Sequence, residues 1–129
     1  MSASGVDLQK HPVLVVDDES DNLDTFRFNF HRSFSLLFAG SGEEALSLAR
    51  EHDIAVVVTD QRMPRMTGLD LARELMKVRE DIPIILCTGY NDNASPEKAK
   101  KAGIREFLLK PQGKSELDQA IRRVLDAKT

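Results

Sequence analysis

Asp60 stands where an apolar run ends. Ile54–Ala55–Val56–Val57–Val58–Thr59 is the most apolar β-branched stretch of the chain, and it stops at an acid followed by Gln61–Arg62–Met63–Pro64. A second apolar run, Val13–Leu14–Val15–Val16, closes on Asp17–Asp18–Glu19. Carboxylates delivered from two strand ends to one edge suit a hard divalent cation. Mg2+ takes oxygen ligands in an octahedral array and keeps several waters, so one or two carboxylates and a carbonyl suffice. The same acids offer a nucleophile, because an aspartate oxygen can attack phosphorus and form an acyl phosphate. Thr88 follows the run Ile84–Cys87, and Lys110 follows Arg105–Leu109. A hydroxyl and an ammonium there can hold phosphoryl oxygens through charge-assisted hydrogen bonds.

These groups meet only if the strands that carry them run parallel. Strands are expected at Val13–Val16, Phe34–Ala39, Ile54–Thr59, Ile84–Cys87 and Arg105–Leu109. Helical spacing fills the intervals. Leu23, Phe26, Arg27 and Phe30 fall at i, i+3, i+4, i+7, with Arg27 the one polar break. Ala45, Leu48, Ala49 and His52 repeat the spacing, as do Leu69, Ala72, Leu75 and Met76, and then Leu117, Ala120, Ile121, Val124 and Leu125. Ser41 before Glu44, Thr67 before Asp70 and Ser115 before Asp118 mark helix starts with capping-box or near-capping-box spacing. Ser95–Pro96 opens a short fourth helix, ending at Ala102 with Gly103 as its C-cap. That helix offers only Ala99 and Ala102 for burial, so it is expected to be the most mobile. Strict alternation of five strands and five helices means a doubly wound parallel sheet with helices on both faces. Ligands bind such sheets at the carboxyl ends of the strands.

With 129 residues the chain is one domain, able to bury a core without staples. Its net charge of −3 gives no general reason for nucleic-acid or membrane binding. Half of the basic residues nevertheless fall after residue 96. The single cysteine, Cys87, excludes an intramolecular disulfide and suits a reducing, cytoplasmic location. It is read as an inert buried thiol. Residues 1–10 are polar, lack the apolar core of a signal peptide and are expected to be disordered. His11, His31 and His52 fall on no common site and are read as structural or solvated.

Taken together, Asp17–Asp18, Asp60 with Met63–Pro64 and Gly68, Thr88–Gly89 and Lys110–Pro111 resemble the receiver domain of two-component response regulators. The resemblance covers residues 11–127. It implies a flavodoxin-like fold with strand order 2-1-3-4-5, and transfer of a phosphoryl group from a histidine kinase or a histidine phosphotransfer protein to Asp60. By matching position, Asp18 and Asp60 would ligate Mg2+, Asp17 would act through water, and the backbone carbonyl of Arg62 would complete the protein ligands. Thr88 and Lys110 would bind the phosphoryl group. Phe107, three residues before the lysine, matches an aromatic switch, and the Lys110–Pro111 bond would be cis. Arg62 is expected at the site mouth; Tyr90 fits either the mouth or the surface. The surface made by the fourth helix, fifth strand and fifth helix would signal to a downstream protein, an attached output domain or a second copy. Lys98, Lys100, Lys101, Arg105, Arg122 and Arg123 are expected on it.

Two other classes share parts of this pattern. A haloacid-dehalogenase-type phosphatase also uses Asp, Mg2+, Thr and Lys, but needs an acid two residues after the nucleophile, where this chain has Arg62. A receiver-like module working without phosphorylation would not need the full set present here. Whether the chain acts alone or precedes an output domain is left open.

Overall fold

Val13–Val16 is apolar at every position, which only a strand covered on both faces can use. The computed structural model describes residues 11–89, 94–110 and 113–127. The expectations for residues 1–10, for Tyr90 and for the Lys110–Pro111 bond lie outside these residues. The elements are β1 (Val13–Val16), α1 (Ser20–Phe30), β2 (Leu36–Ala39), α2 (Gly42–Glu51), β3 (Val56–Asp60), α3 (Gly68–Val78), β4 (Ile84–Thr88), α4 (Pro96–Lys101), β5 (Glu106–Leu109) and α5 (Lys114–Ala127). All pairings are parallel and the order is β2-β1-β3-β4-β5, as expected.

Alternation along the strands divides the core in two. Leu14, Val16, Val57, Ile84 and Leu86 face α2, α3 and α4; Val13, Val15, Val56, Val58 and Ile85 face α1 and α5. All ten are buried. At roughly 1.5–3 kcal/mol for each fully buried aliphatic side chain, these two layers dominate the stability of the fold. α4 adds little, since Ala99 is its one buried residue.

Local signals explain most helix ends. Thr67 and Asp70 form a reciprocal capping box on α3. The Ser41 hydroxyl accepts the Glu44 N–H (3.1 Å), while the Glu44 carboxylate reaches back to the Gly40 N–H (2.7 Å). Ser95 caps α4. Gly103, with φ of 88°, lies one residue beyond the Ala102 cap. Its N–H bonds Lys100 O and the next N–H, of Ile104, bonds Ala99 O, the Schellman arrangement that needs a left-handed residue. Ser115 is a correction. α5 starts at Lys114, two residues before the Glu116 start that a Ser115 cap implies, and Ser115 sits inside its first turn, where its hydroxyl accepts from Gln119 (3.3 Å). The second strand starts at Leu36, because Phe34 turns inward against the Phe30 ring, 6.1 Å between centroids. The polar break at Arg27 also has a reason: its guanidinium lies 4.6 Å over the Phe38 ring and covers the edge strand.

Candidate functional site

The register of the sheet decides which side chains meet. Asp60 ends β3 opposite Cys87 of β4, and Thr88 ends β4 opposite Leu109 of β5. The Lys110 N–H donates to Thr88 O (2.8 Å), holding the lysine at the same edge. Asp17 leaves β1 there as well, its N–H bonded to Ala39 O (3.1 Å). Asp17, Asp18 and Asp60 each place a carboxylate oxygen within 4.8 Å of the others, a spacing one small cation can span. Asp60 is buried, Asp17 half-buried and Asp18 exposed. Three acids this close repel one another, and a cation answers that repulsion.

One cation is the protein's own. Lys110 Nζ is ion-paired with Asp60 Oδ1. Burial alone would depress the ammonium's pKa, but the hydrogen bond and charge of Asp60, reinforced by Asp17, hold it above the ordinary lysine value. Lys110 is therefore charged at neutral pH.

Asp17 has a second task. Its Oδ1 accepts the Glu19 N–H (3.0 Å) and its Oδ2 accepts from the Asn22 side chain (3.1 Å). Glu19, the N-cap of α1, makes no side-chain cap bond, so Asp17 supplies the acceptor at that helix start. Asp17 thus anchors the α1 start and lies in the acid cluster at once.

The loop after Asp60 is tightly held. Gln61 N–H donates to Cys87 O (3.0 Å), its carbonyl accepts the Gly68 N–H (3.0 Å), and its side-chain Oε1 accepts the Leu69 N–H (2.9 Å). Gln61 is buried and was not singled out from the sequence. The available signal was a polar residue directly following a fully buried strand. Arg62 is exposed, and Met63 turns back into the core. Arg65 then adopts φ of 67°, with Met66 N–H bonded to Pro64 O (2.7 Å), a strained γ-turn.

Thr88 is fully buried, and its hydroxyl donates to Gly89 O (3.2 Å). Phe107 is half-buried, in register with Leu86, and packs on the α2–α3–α4 core. A cavity of about 330 Å3 opens beside Asp17, Asp60 and Lys110, with Phe26, Phe30 and Leu117 in its apolar walls. Cys87 also lines it, but burial pushes that thiol up to about 12 against the lowering effect of Lys110. It is a protonated, inert group at neutral pH.

The basic residues do not all share one face. Arg123 pairs with Glu106 of β5 (3.0 Å), and Lys98, Lys100, Lys101 and Arg105 are exposed on α4 and just before β5. Arg122 instead pairs with Asp118 (3.0 Å) and lies 5.1 Å over the Phe34 ring, on the side of α5 that faces the α1 core.

A parallel sheet that gathers three carboxylates, the buried Asp60 among them, and a lysine paired to Asp60 at the carboxyl ends of its strands defines a doubly wound α/β domain with an acidic site at one edge. The chain belongs to the response regulator receiver domain family, whose model matches residues 13–122. It is 33% identical over 116 residues to the hydrogenase transcriptional regulatory protein HoxA of Cupriavidus necator, covering 89% of this chain and 24% of that protein. It is 32% identical to the probable transcriptional regulator ycf27 of Porphyridium aerugineum, covering 92% of this chain and 49% of that protein. The chain thus spans between a quarter and a half of the curated relatives it matches. Among solved structures, a response regulator receiver domain protein from Clostridium thermocellum superposes with a TM-score of 0.86 at 34% identity, covering 92% of this chain and 96% of that one. The structure described as FIXJ-N gives 0.82 at 34% identity, covering 92% and 95%. Among the described residues no helix is long and apolar enough to cross a membrane.

Proposed function

We propose that this domain is a phosphorylation-dependent switch of a two-component system that accepts a phosphoryl group on Asp60. The observation that carries the reading is a buried Asp60 with two further carboxylates within 4.8 Å and a lysine paired to it. The donor set is all oxygen, which fits Mg2+. Asp18 and Asp60 would ligate it directly and the Arg62 carbonyl would complete the protein ligands. Asp17, both of whose oxygens already accept bonds from the α1 start, would act through water. When bound, Mg2+ would supply positive charge that offsets the clustered carboxylates and the charge of the incoming phosphoryl group.

The chain's own residues do the rest. An Asp60 oxygen attacks phosphorus of a phosphohistidine on a sensor histidine kinase or phosphotransfer protein. The P–N bond breaks, the imidazole leaves with its electron pair, and an acyl phosphate remains. Lys110 shifts from the carboxylate to a phosphoryl oxygen, and the Thr88 hydroxyl exchanges Gly89 O for another. Drawing Thr88 inward frees space for Phe107, and the α4-β5-α5 face changes with it. A downstream protein, an attached output domain or a second copy would read that face. Relatives such as HoxA and ycf27 are transcriptional regulators by name, which supports a transcriptional output, in which contact with nucleic acid falls to another domain. The domain catalyses only its own phosphorylation and dephosphorylation. An exposed Arg62 stands where a phosphatase of the haloacid dehalogenase class needs its acid.

Incubation with acetyl phosphate and Mg2+ should add one phosphoryl group by intact mass, and Asp60→Asn should add none. Hydrogen exchange with a beryllofluoride phosphoryl mimic should change at residues 94–110. Changes confined to α1 and α2 would contradict the readout assignment.

A further inference from the structure

The first three N–H groups of α3 are taken by two residues. Gly68 N–H goes to Gln61 O (3.0 Å), Leu69 N–H to Gln61 Oε1 (2.9 Å) and Asp70 N–H to Thr67 Oγ1 (3.2 Å). A helix start normally leaves such donors to caps or water. Here a buried glutamine, 3% exposed, supplies two of the acceptors while its own N–H is bonded to β4. Burying an amide is costly unless it is bonded, and an apolar side chain would fill the space more cheaply. The amide therefore does something that volume alone does not. Its neighbours in the chain are Asp60 and Arg62, the proposed carboxylate and carbonyl ligands of Mg2+. Gln61 is the point where that segment is pinned to α3 on one side and β4 on the other.

We propose that Gln61 is a positioning residue for the cation site: its side-chain amide, by bonding Leu69, holds the Asp60–Arg62 segment in the geometry that binds Mg2+. The proposal rests on the reading of the site given above. Groups that orient metal ligands contribute about 10- to 100-fold to affinity.

The test uses the whole chain. Gln61→Met keeps the volume and removes the acceptor. It should weaken Mg2+ binding, measured by calorimetry, about 10-fold. In metal-free protein it should speed exchange of the Leu69 amide. Gln61→Glu keeps an acceptor oxygen and should preserve Leu69 protection. Thr67→Ala removes a different α3 cap of the same kind and should lower stability without moving Mg2+ affinity. If Gln61→Met does not fold, Gln61→Asn withdraws the acceptor by one methylene and is read the same way. Wild-type Mg2+ affinity in the Met or Asn variant overturns the proposal, as does an equal weakening in Thr67→Ala. A wild-type chain that binds no Mg2+ overturns the site reading itself, which is a separate outcome.

Discussion

Lys110 pairs with Asp60 across an intervening strand: the lysine follows β5, the aspartate ends β3, and β4 lies between them. The lysine side chain is 37% exposed and the aspartate 7%, so the pair is half in solvent and half in the core. Removing one partner of a fully buried pair costs about 3–5 kcal/mol, and partial solvation lowers the expectation for Lys110→Met to about 2 kcal/mol. Added Mg2+ should narrow that loss, because it neutralises the same carboxylate. Urea unfolding with and without Mg2+ measures both. An unchanged midpoint in metal-free buffer contradicts the role given to the pair.

Gly68 sits where α3 meets the end of β3. A Cβ there would lie 2.6 Å from Asp60 O and 2.6 Å from Leu86 Cδ1. The backbone oxygen cannot yield without moving Asp60. Gly68→Ala should therefore destabilise by about 2 kcal/mol or more, although alanine is the better helix former. Thermal unfolding checks this, and a stabilised variant would show that the approach is looser than described.

Arg65 pays the cost of a left-handed backbone, roughly 1–2 kcal/mol for a residue with a Cβ. Glycine removes that cost but loses about 0.5–1 kcal/mol of chain entropy on folding. The exposed Arg65–Glu43 contact, at 3.9 Å, contributes little. Arg65→Gly should be neutral to about 1 kcal/mol stabilising, and Arg65→Val clearly destabilising. Urea midpoints that rank valine above glycine would contradict the turn assignment.

Cys87 predicts a decline in stability at alkaline pH. Its thiol ionises at an ordinary 9.0 when unfolded and is pushed up to about 12 by burial in the native state. The folded chain keeps a proton that the unfolded chain has lost, so stability is complete below pH 9 and falls between 9 and about 12. One proton corresponds to about 1.4 kcal/mol per pH unit. Lys110, also raised, has the same sign but acts only above 10.5. Cys87→Ala should flatten the decline between pH 9 and 10.5 in urea titrations; an unchanged slope there would mean the thiol is not the cause.

The parts of this molecule that were legible in the sequence are those set by local pattern. Apolar runs on both faces of a parallel strand, and carboxylates at their ends, place Asp17, Asp18, Asp60, Thr88 and Lys110 on one edge before any contact is known. What was not legible depends on tertiary context. Ser115 has a capping spacing, but Gly113 O already accepts the Leu117 N–H, and the helix begins two residues sooner than that cap implies. Arg122 reads as part of a basic face, yet the Phe34 ring draws its guanidinium to the other side of α5. Gln61 reads as loop polarity, and only the approach of α3 turns its amide into an anchor.

The central claim is that Asp60 is the phosphoryl acceptor. Borohydride trapping tests it most directly, since it reduces an aspartyl phosphate to homoserine and so marks the residue. After treatment with acetyl phosphate, the conversion should map to residue 60 alone and should disappear when Mg2+ is chelated. Conversion at Asp17 or Asp18, or equal conversion in the absence of Mg2+, would contradict the account.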